Sequence, residues 1–486
     1  MKRIFFSIFL FLTCISILYG QTRNDKKQWK RIKTYLSKIE KAGFNGAVLI
    51  ALNNGQMLSE GYGFSNMETK TPNKPNTVFD IGSLTKQFTA AAILKLEMQG
   101  KLSTEDAITA YFNNIPADKE GITIHDLLRH QSGLVSNVGK DYEKITDDEF
   151  LQKVWSSELR FQAGTNFSYS NIGYSLLAMI IEKVSGQSYE TCLYENLWKP
   201  ANMEMTGYIR PKFDPNQIAR GYDRNDADWG KPTDKAWGDT APYRHLTGNG
   251  GILSTTEDLY KWHQALMSSK ILSAEAKQKL YHPKLRNSES ETSYYAYGWD
   301  VFKTCKNTLR VWHNGTNRIF YADFMRFIDE QITLISLSNK SHPVFDQLNF
   351  EISKMISNPN YDPEIPAADN PINRKFTAQI METIEHHGLQ KAKTAYLNKK
   401  KSEQLLEYQM RNEGFNHIDN GQPGIAIQIF ELNVFAFPNS AKALQGLGEG
   451  FVETGNKTEG LQYLKKSLQL NPDNPFVATL IKDLEN

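Results

Sequence analysis

The chain has 486 residues, more than one hydrophobic core usually supports, so about two to three domains are expected. A formal net charge of +2 without a dense basic stripe excludes a nucleic-acid partner. Three cysteines in so long a chain exclude a disulfide-framed fold, and neither an H-E-x-x-H metal signature nor a glycine-rich phosphate loop with lysine is present, so no metal or cofactor is expected.

Residues 1–20 read as a secretory signal peptide: the basic start "MKR", an apolar run from Ile4 to Leu18, and cleavage after Gly20. The run is too short for a spanning helix, so no stable membrane span is expected after cleavage, and the protein should be periplasmic or secreted. Cys14 is poorly placed for lipidation because the apolar run continues past it. Export then leaves Cys192 and Cys305, and an oxidising compartment permits a bridge between them.

Residues 25–357 alternate strand and helix patterns. "GAVLIALNNGQMLSEGYGFS" is a hairpin turning at Asn53, Asn54 and Gly55. "VFDIGSLTKQFTAAAILKLEMQGKLS" predicts an amphipathic helix opening near Ser83, and "ITIHDLLRH" and "IGYSLLAMIIEKVSG" predict further helices. "RVWHNGTNRIFYADFMRFIDEQITLISLSN" breaks into three strands. Strands at both ends of a helical middle imply an α+β fold with one antiparallel sheet closed by the two ends of the segment. Residues 358–373, with Pro359, Pro363, Pro366 and Pro371, read as a linker.

Residues 374–486 are purely helical in pattern and repeat. Gly414 and Gly448, Gly421 and Gly455, Phe430 and Leu464, and Pro438 and Pro472 are each 34 apart, the tetratricopeptide period. Ala392 and Tyr396 suggest a degenerate earlier unit, upstream of Ala426 and Phe430 by the same step. Such repeats imply a protein partner.

Ser-x-x-Lys at Ser83 and Lys86 places both side chains on one helical face, where the amine reaches the hydroxyl. A serine nucleophile needs such a neighbour, and a helix start offers N–H groups to an oxyanion. Tyr-x-Asn occurs at Tyr111, Tyr169 and Tyr194; only Tyr169 lies in a glycine-containing loop just before a helix. A phenol near an ammonium can be partly ionised and act as base and then acid, while the Asn171 amide can meet both a substrate carbonyl and Lys86. "HNG" at His313 to Gly315 lies on a strand, whereas the other His-x-Gly, at His386, lies among the helices.

With Ser83, Lys86, Tyr169, Asn171 and His313 in this order, the region resembles the penicillin-recognising serine hydrolases, in the branch of class C β-lactamases, D-aminopeptidases and related esterases. The resemblance implies a β-lactamase/transpeptidase-like fold with a helical subdomain, and a catalytic set of Ser83, Lys86 and Tyr169. It also implies substrate contacts from Asn171, His313, Gly315 and Thr316, the Thr316 N–H completing an oxyanion hole with that of Ser83. The expected substrate is a small ester, amide or peptide, including peptides of D-residues. "LLRHQSGL" and "GNGGILSTTEDLYKWHQAL" resemble family segments that shape the cleft, with Gly250 and Gly251 allowing a tight turn. His313 replaces the family's usual lysine, exchanging a permanent cation for a mostly neutral group, so carboxylate recognition and β-lactam hydrolysis should be weak unless His313 is protonated or Arg318 substitutes. In "GYDRNDADWGKPTDKAWGDTAPYRH", a loop over the cleft would make Trp229, Trp237 and Tyr243 face substrate. The competing expectation is a weak or inactive enzyme that binds peptidoglycan fragments while the repeats recruit a partner.

Overall fold

A computed structural model describes residues 26–223, 226–235, 242–282, 294–304, 306–340, 347–363, 365–472 and 474–485. Residues 1–20, which include Cys14, and Trp237 and Cys305 lie outside the described residues.

Helix α1 (26–41) leads into β1 (Gly46–Ala51) and β2 (Met57–Tyr62), joined by a turn in which Gly55 has φ +78°. Five later strands follow, β3 (Tyr294–Tyr295), β4 (Asp300–Lys303), β5 (Leu309–Thr316), β6 (Tyr321–Phe327) and β7 (Ile332–Ser338). They form one antiparallel sheet in the order β2-β1-β7-β6-β5-β4-β3. The pairing of β1 with β7, Gly46 opposite Ser338, closes the sheet between the two ends of this region, as the strand distribution implies.

Both faces of the sheet are covered, which is why β1 reads as the unbroken run "GAVLIA" and is buried throughout. Ala47, Leu49, Phe324 and Ile335 face a helical lobe; Val48, Ile50, Met325 and Leu334 face α1 and a later helix, α5 (Leu348–Ser357). At the centre of the lobe lie α2 (Thr85–Met98), α3 (Asn171–Ser185) and α4 (Thr256–Met267). The structure corrects the reading of α2 as amphipathic: Phe88, Ala90 to Leu94 and Leu96 are all at most 1% exposed, because other helices surround it. Cys192 is buried in the same core.

Residues 358–370, apart from Glu364, contain no helix or strand, and beyond them all regular structure is helical. The helices are α6 (Pro371–His387), α7 (Leu389–Leu397), α8 (Glu407–Asp419), α9 (Pro423–Ala436), α10 (Ala441–Glu453), α11 (Lys457–Leu470) and α12 (Pro475–Glu485). Gly421 and Gly455, with φ +71° and +87°, make the turns after α8 and α10. Gly414 lets α8 meet Phe430 of α9, and Gly448 lets α10 meet Leu464 of α11. Apolar contacts here form several small clusters in chain order instead of one core.

Candidate functional site

Ser83 sits in a tight turn, Gly82–Leu84, immediately before α2. Gly82 takes φ +51°, and its N–H donates to Asp80 Oδ1 at 2.7 Å. Asn317 Nδ2 donates to the other Asp80 oxygen at 2.9 Å. Asp80 is 1% exposed, and its burial pushes its carboxyl up to about 6 against these two hydrogen bonds.

One turn on, Lys86 is fully buried. Its Nζ donates to Ser83 Oγ at 3.1 Å, Asn171 Oδ1 at 2.8 Å and the Asn249 carbonyl at 2.7 Å. All three acceptors are neutral. Burial therefore drives the amine well below the ordinary lysine value, and the more distant charge of Asp141 only partly opposes this.

Asn171 opens α3, whose start is set by Ser170 Oγ accepting from the Gly173 N–H and whose end is Gly186 at φ +69°. Its Nδ2 donates to Asn137 Oδ1 at 2.9 Å, so the amide is held from both sides. Tyr169 is hydrogen-bonded to Ser83, and the Lys86 ammonium lies 4.8 Å from its ring centre. Desolvation raises the Tyr169 phenol, the Ser83 hydrogen bond lowers it, and Asp300 raises it further; the net direction is upward. Burial thus favours the protonated form of the Tyr169 phenol and disfavours the charged form of the Lys86 amine, directions opposite to those that would ionise the phenol beside an ammonium.

The end of β5 presses directly on this turn. A Cβ on Gly315 would lie 2.7 Å from Ser83 N and closer still to the Ile81 carbonyl oxygen; one on Gly82 would lie 2.6 Å from Thr316 N. Beside Ser83, Gly315 and Thr316 opens a cavity of about 320 Å³, lined also by Tyr169, Asp300 and His313. His313 is 2% exposed, with Nδ1 2.5 Å from the Asn314 carbonyl and Nε2 2.9 Å from the Tyr295 hydroxyl. The carbonyl fixes the proton on Nδ1, so Nε2 accepts from Tyr295. Burial and the charge of Lys86 push the imidazole down to about 3, so it is neutral at pH 7.

The other Tyr-x-Asn tyrosines lie elsewhere: Tyr111 donates to Asp106 at 2.6 Å, and Tyr194 begins a helical turn, Tyr194–Trp198. Neither they nor Arg318, Trp229 or Tyr243 line the cavity. Trp229 packs on Phe320 at 6.0 Å between ring centres, and Arg318 is exposed, within electrostatic reach of Asp141.

Three participants escaped the sequence reading. Asn249 acts through its carbonyl, which no residue type signals. His130, visible in "LLRHQSGL" but assigned no chemistry, is fully buried with its ring 4.1 Å from that of Tyr169. Tyr295 meets His313 only through the pairing of β3 with β4 and β4 with β5.

Among the described residues, no group of three or more His, Cys, Asp or Glu is placed to hold a metal, and no helix is long and apolar enough to cross a membrane.

Residues 30–352 match the beta-lactamase family. Penicillin-binding protein 4* of Bacillus subtilis is 32% identical over 326 residues, 64% of this chain and 72% of that protein. The structure of an octameric penicillin-binding protein homologue from Pyrococcus abyssi superposes with a TM-score of 0.58 at 25% identity, covering 73% of this chain and 81% of that one. A penicillin binding protein from Bacillus halodurans gives 0.57 at 24% identity, covering 65% and 97%.

Proposed function

The chain belongs to the beta-lactamase family, and on that premise we propose that it is an exported serine hydrolase working through an acyl-enzyme at Ser83. The observation that carries the reading is the buried Lys86 amine, 3.1 Å from Ser83 Oγ and without a carboxylate in contact. In its unprotonated form the amine accepts the Ser83 proton as Oγ bonds to the acyl carbon of a small ester, amide or peptide. The N–H groups of Ser83 and Thr316, brought together by Gly82 and Gly315, stabilise the oxyanion.

The bond from the acyl carbon to the leaving oxygen or nitrogen then breaks, and that group takes a proton from the Tyr169 phenol, which Lys86 resupplies. Water repeats the sequence: its oxygen bonds to the acyl carbon, the Ser83 ester bond breaks, and the proton returns to Oγ. Asn171 holds Lys86 and offers its amide to substrate, and His313, as Tyr295's acceptor, shapes the cavity wall.

Export rests on the signal-like N-terminus. The matched glycine contacts of α8–α9 and α10–α11 support reading them as tetratricopeptide-like pairs that dock a protein partner.

The test is intact-mass spectrometry after incubation with p-nitrophenyl acetate and, separately, a penicillin. A Ser83-dependent acetyl adduct or turnover, lost in Ser83→Ala, is expected, with the penicillin the poorer reagent. No Ser83-dependent reaction with either compound would favour a binding protein.

A further inference from the structure

Away from Ser83, cations gather on one face of the molecule. Helix α1 and residues 389–401 together hold twelve of the chain's 56 lysines and arginines against a single acid, Glu40. Far apart in sequence, the two segments are brought side by side by the fold: Lys38 and Lys41 of α1 and Lys399, just beyond α7, line one cavity of about 540 Å³. No carboxylate lines it. Glu40 accepts from the Gly63 N–H at 2.8 Å instead. Lys33 pairs with Glu60 and Lys400 with Glu403, whereas among the described residues no ion pair neutralises Lys38, Lys41 or Lys399.

Apolar side chains stand among these charges. Leu397, which ends α7, is 67% exposed, the most of any large apolar residue described, and Phe435 of α9 is 43% exposed. The Phe435 ring lies 6.2 Å from that of Tyr396, which also lines the cavity, so the apolar and cationic parts are continuous. Lys393 Nζ sits 5.0 Å from the Phe435 ring centre and Lys399 Nζ 4.2 Å from that of Tyr396. Like charge opposes the pairing of two copies through this face. A dissolved phosphate would answer the lysines and leave Leu397 and Phe435 in water. The headgroup zone of an anionic bilayer suits both, because rings and leucine enter the acyl boundary while lysine stems reach back to phosphate.

We propose that this face docks the protein on an anionic lipid surface, with a lipid phosphate between Lys38, Lys41 and Lys399 and with Leu397 and Phe435 at the acyl boundary. The docking is peripheral and reversible, and it needs no spanning helix. It is independent of the chemistry at Ser83: α1 packs on the face of the sheet opposite the lobe that contains α2.

The test is co-sedimentation with vesicles of phosphatidylglycerol mixed with phosphatidylcholine, and of phosphatidylcholine alone. The protein begins at Gln21, without the apolar run Ile4 to Leu18, which would bind lipid by itself. The mixed vesicles should bind about tenfold more tightly or better, and raising salt from about 0.1 to 0.5 M should release the protein. Lys38→Gln combined with Lys399→Gln should weaken binding about 20-fold, roughly fivefold for each lysine. Leu397→Ser should weaken it about fivefold or more. Lys144→Gln combined with Lys270→Gln makes the same charge change on exposed lysines beside the lobe core and should leave binding within about twofold. These side chains lie at the surface, so thermal unfolding should be unchanged in every variant, and Ser83→Ala should bind vesicles as wild type does. Equal binding to the two vesicle types, or face variants that bind no worse than the lobe pair, overturns the inference. Absence of vesicle binding overturns it too, and retention on immobilised poly-L-glutamate that the Lys38 and Lys399 substitutions abolish would then assign the face to an acidic protein.

Discussion

Glycines bring chain segments together in both regions of the molecule, but against different neighbours. At Gly315 and Gly82 a side chain would meet backbone: Ser83 N at 2.7 Å in the first case and Thr316 N at 2.6 Å in the second. At Gly414 and Gly448 it would meet the Phe430 ring, with Cζ at 2.5 Å, and Leu464 Cγ at 2.8 Å. Backbone in a sheet or a tight turn cannot yield without moving its hydrogen-bonded partners, whereas a ring or a leucine tip can rotate. The beta-lactamase-family region therefore uses glycine to set the distance between two backbones at Ser83 and Thr316. The helical region uses it to let adjustable surfaces nest.

The sharpest way to break this comparison is Gly315→Ala, which should push β5 away from Ser83 and lower kcat/KM for p-nitrophenyl acetate by about 100-fold or more. A variant retaining most of its activity would show that this close approach is not required.

The next effect concerns charge. The Asp80 carboxyl, raised from 3.8 to about 6, binds more proton when folded than when unfolded between those values. Its contribution to stability is thus full below about 4 and is lost as pH rises through about 6. Relative to Asp80→Asn, wild type should lose about 2 kcal/mol between pH 4 and 7, measured by urea unfolding of both proteins across that range. A difference that is flat, or rises with pH, would refute the assignment.

Gly414→Ala comes third, costing about 2 kcal/mol as the Phe430 ring is displaced while esterase kcat/KM stays within about twofold. Thermal unfolding with parallel kinetics checks both halves, and a large loss of activity would mean that the helical region governs the active site. The smallest effect belongs to Gly421→Ala. At φ +71°, with no heavy atom within 4 Å of the position a Cβ would take, only backbone strain remains, about 1 kcal/mol by the same unfolding measurement.

Much of this site was legible because its parts are local. Ser83 and Lys86 are one turn apart, Tyr169 and Asn171 flank the cap of α3, and His313 to Thr316 end one strand. Their order along the chain supported the family resemblance. What stayed hidden depended on distant partners. Nothing local distinguishes α2, wrapped by other helices, from a helix with a solvent face, and nothing marks the Asn249 carbonyl as Lys86's third acceptor. Sequence placed the aromatic segment over the cleft, but Trp229 packs on Phe320 instead of lining the cavity.

The sequence by itself determined the residue types available for chemistry, the short spacings that align them, and the alternation that makes a sheet, because these follow from helix and strand periodicity. Only the tertiary structure decided which groups carry charge. Lys86 is shifted toward a free amine, Tyr169 toward a protonated phenol and His313 toward a neutral ring by burial and neighbouring charges, and Asp300 comes to line the cavity through the pairing of β4 with β5. Burial and field depend on what the remainder of the chain packs around each group, and no local pattern encodes that.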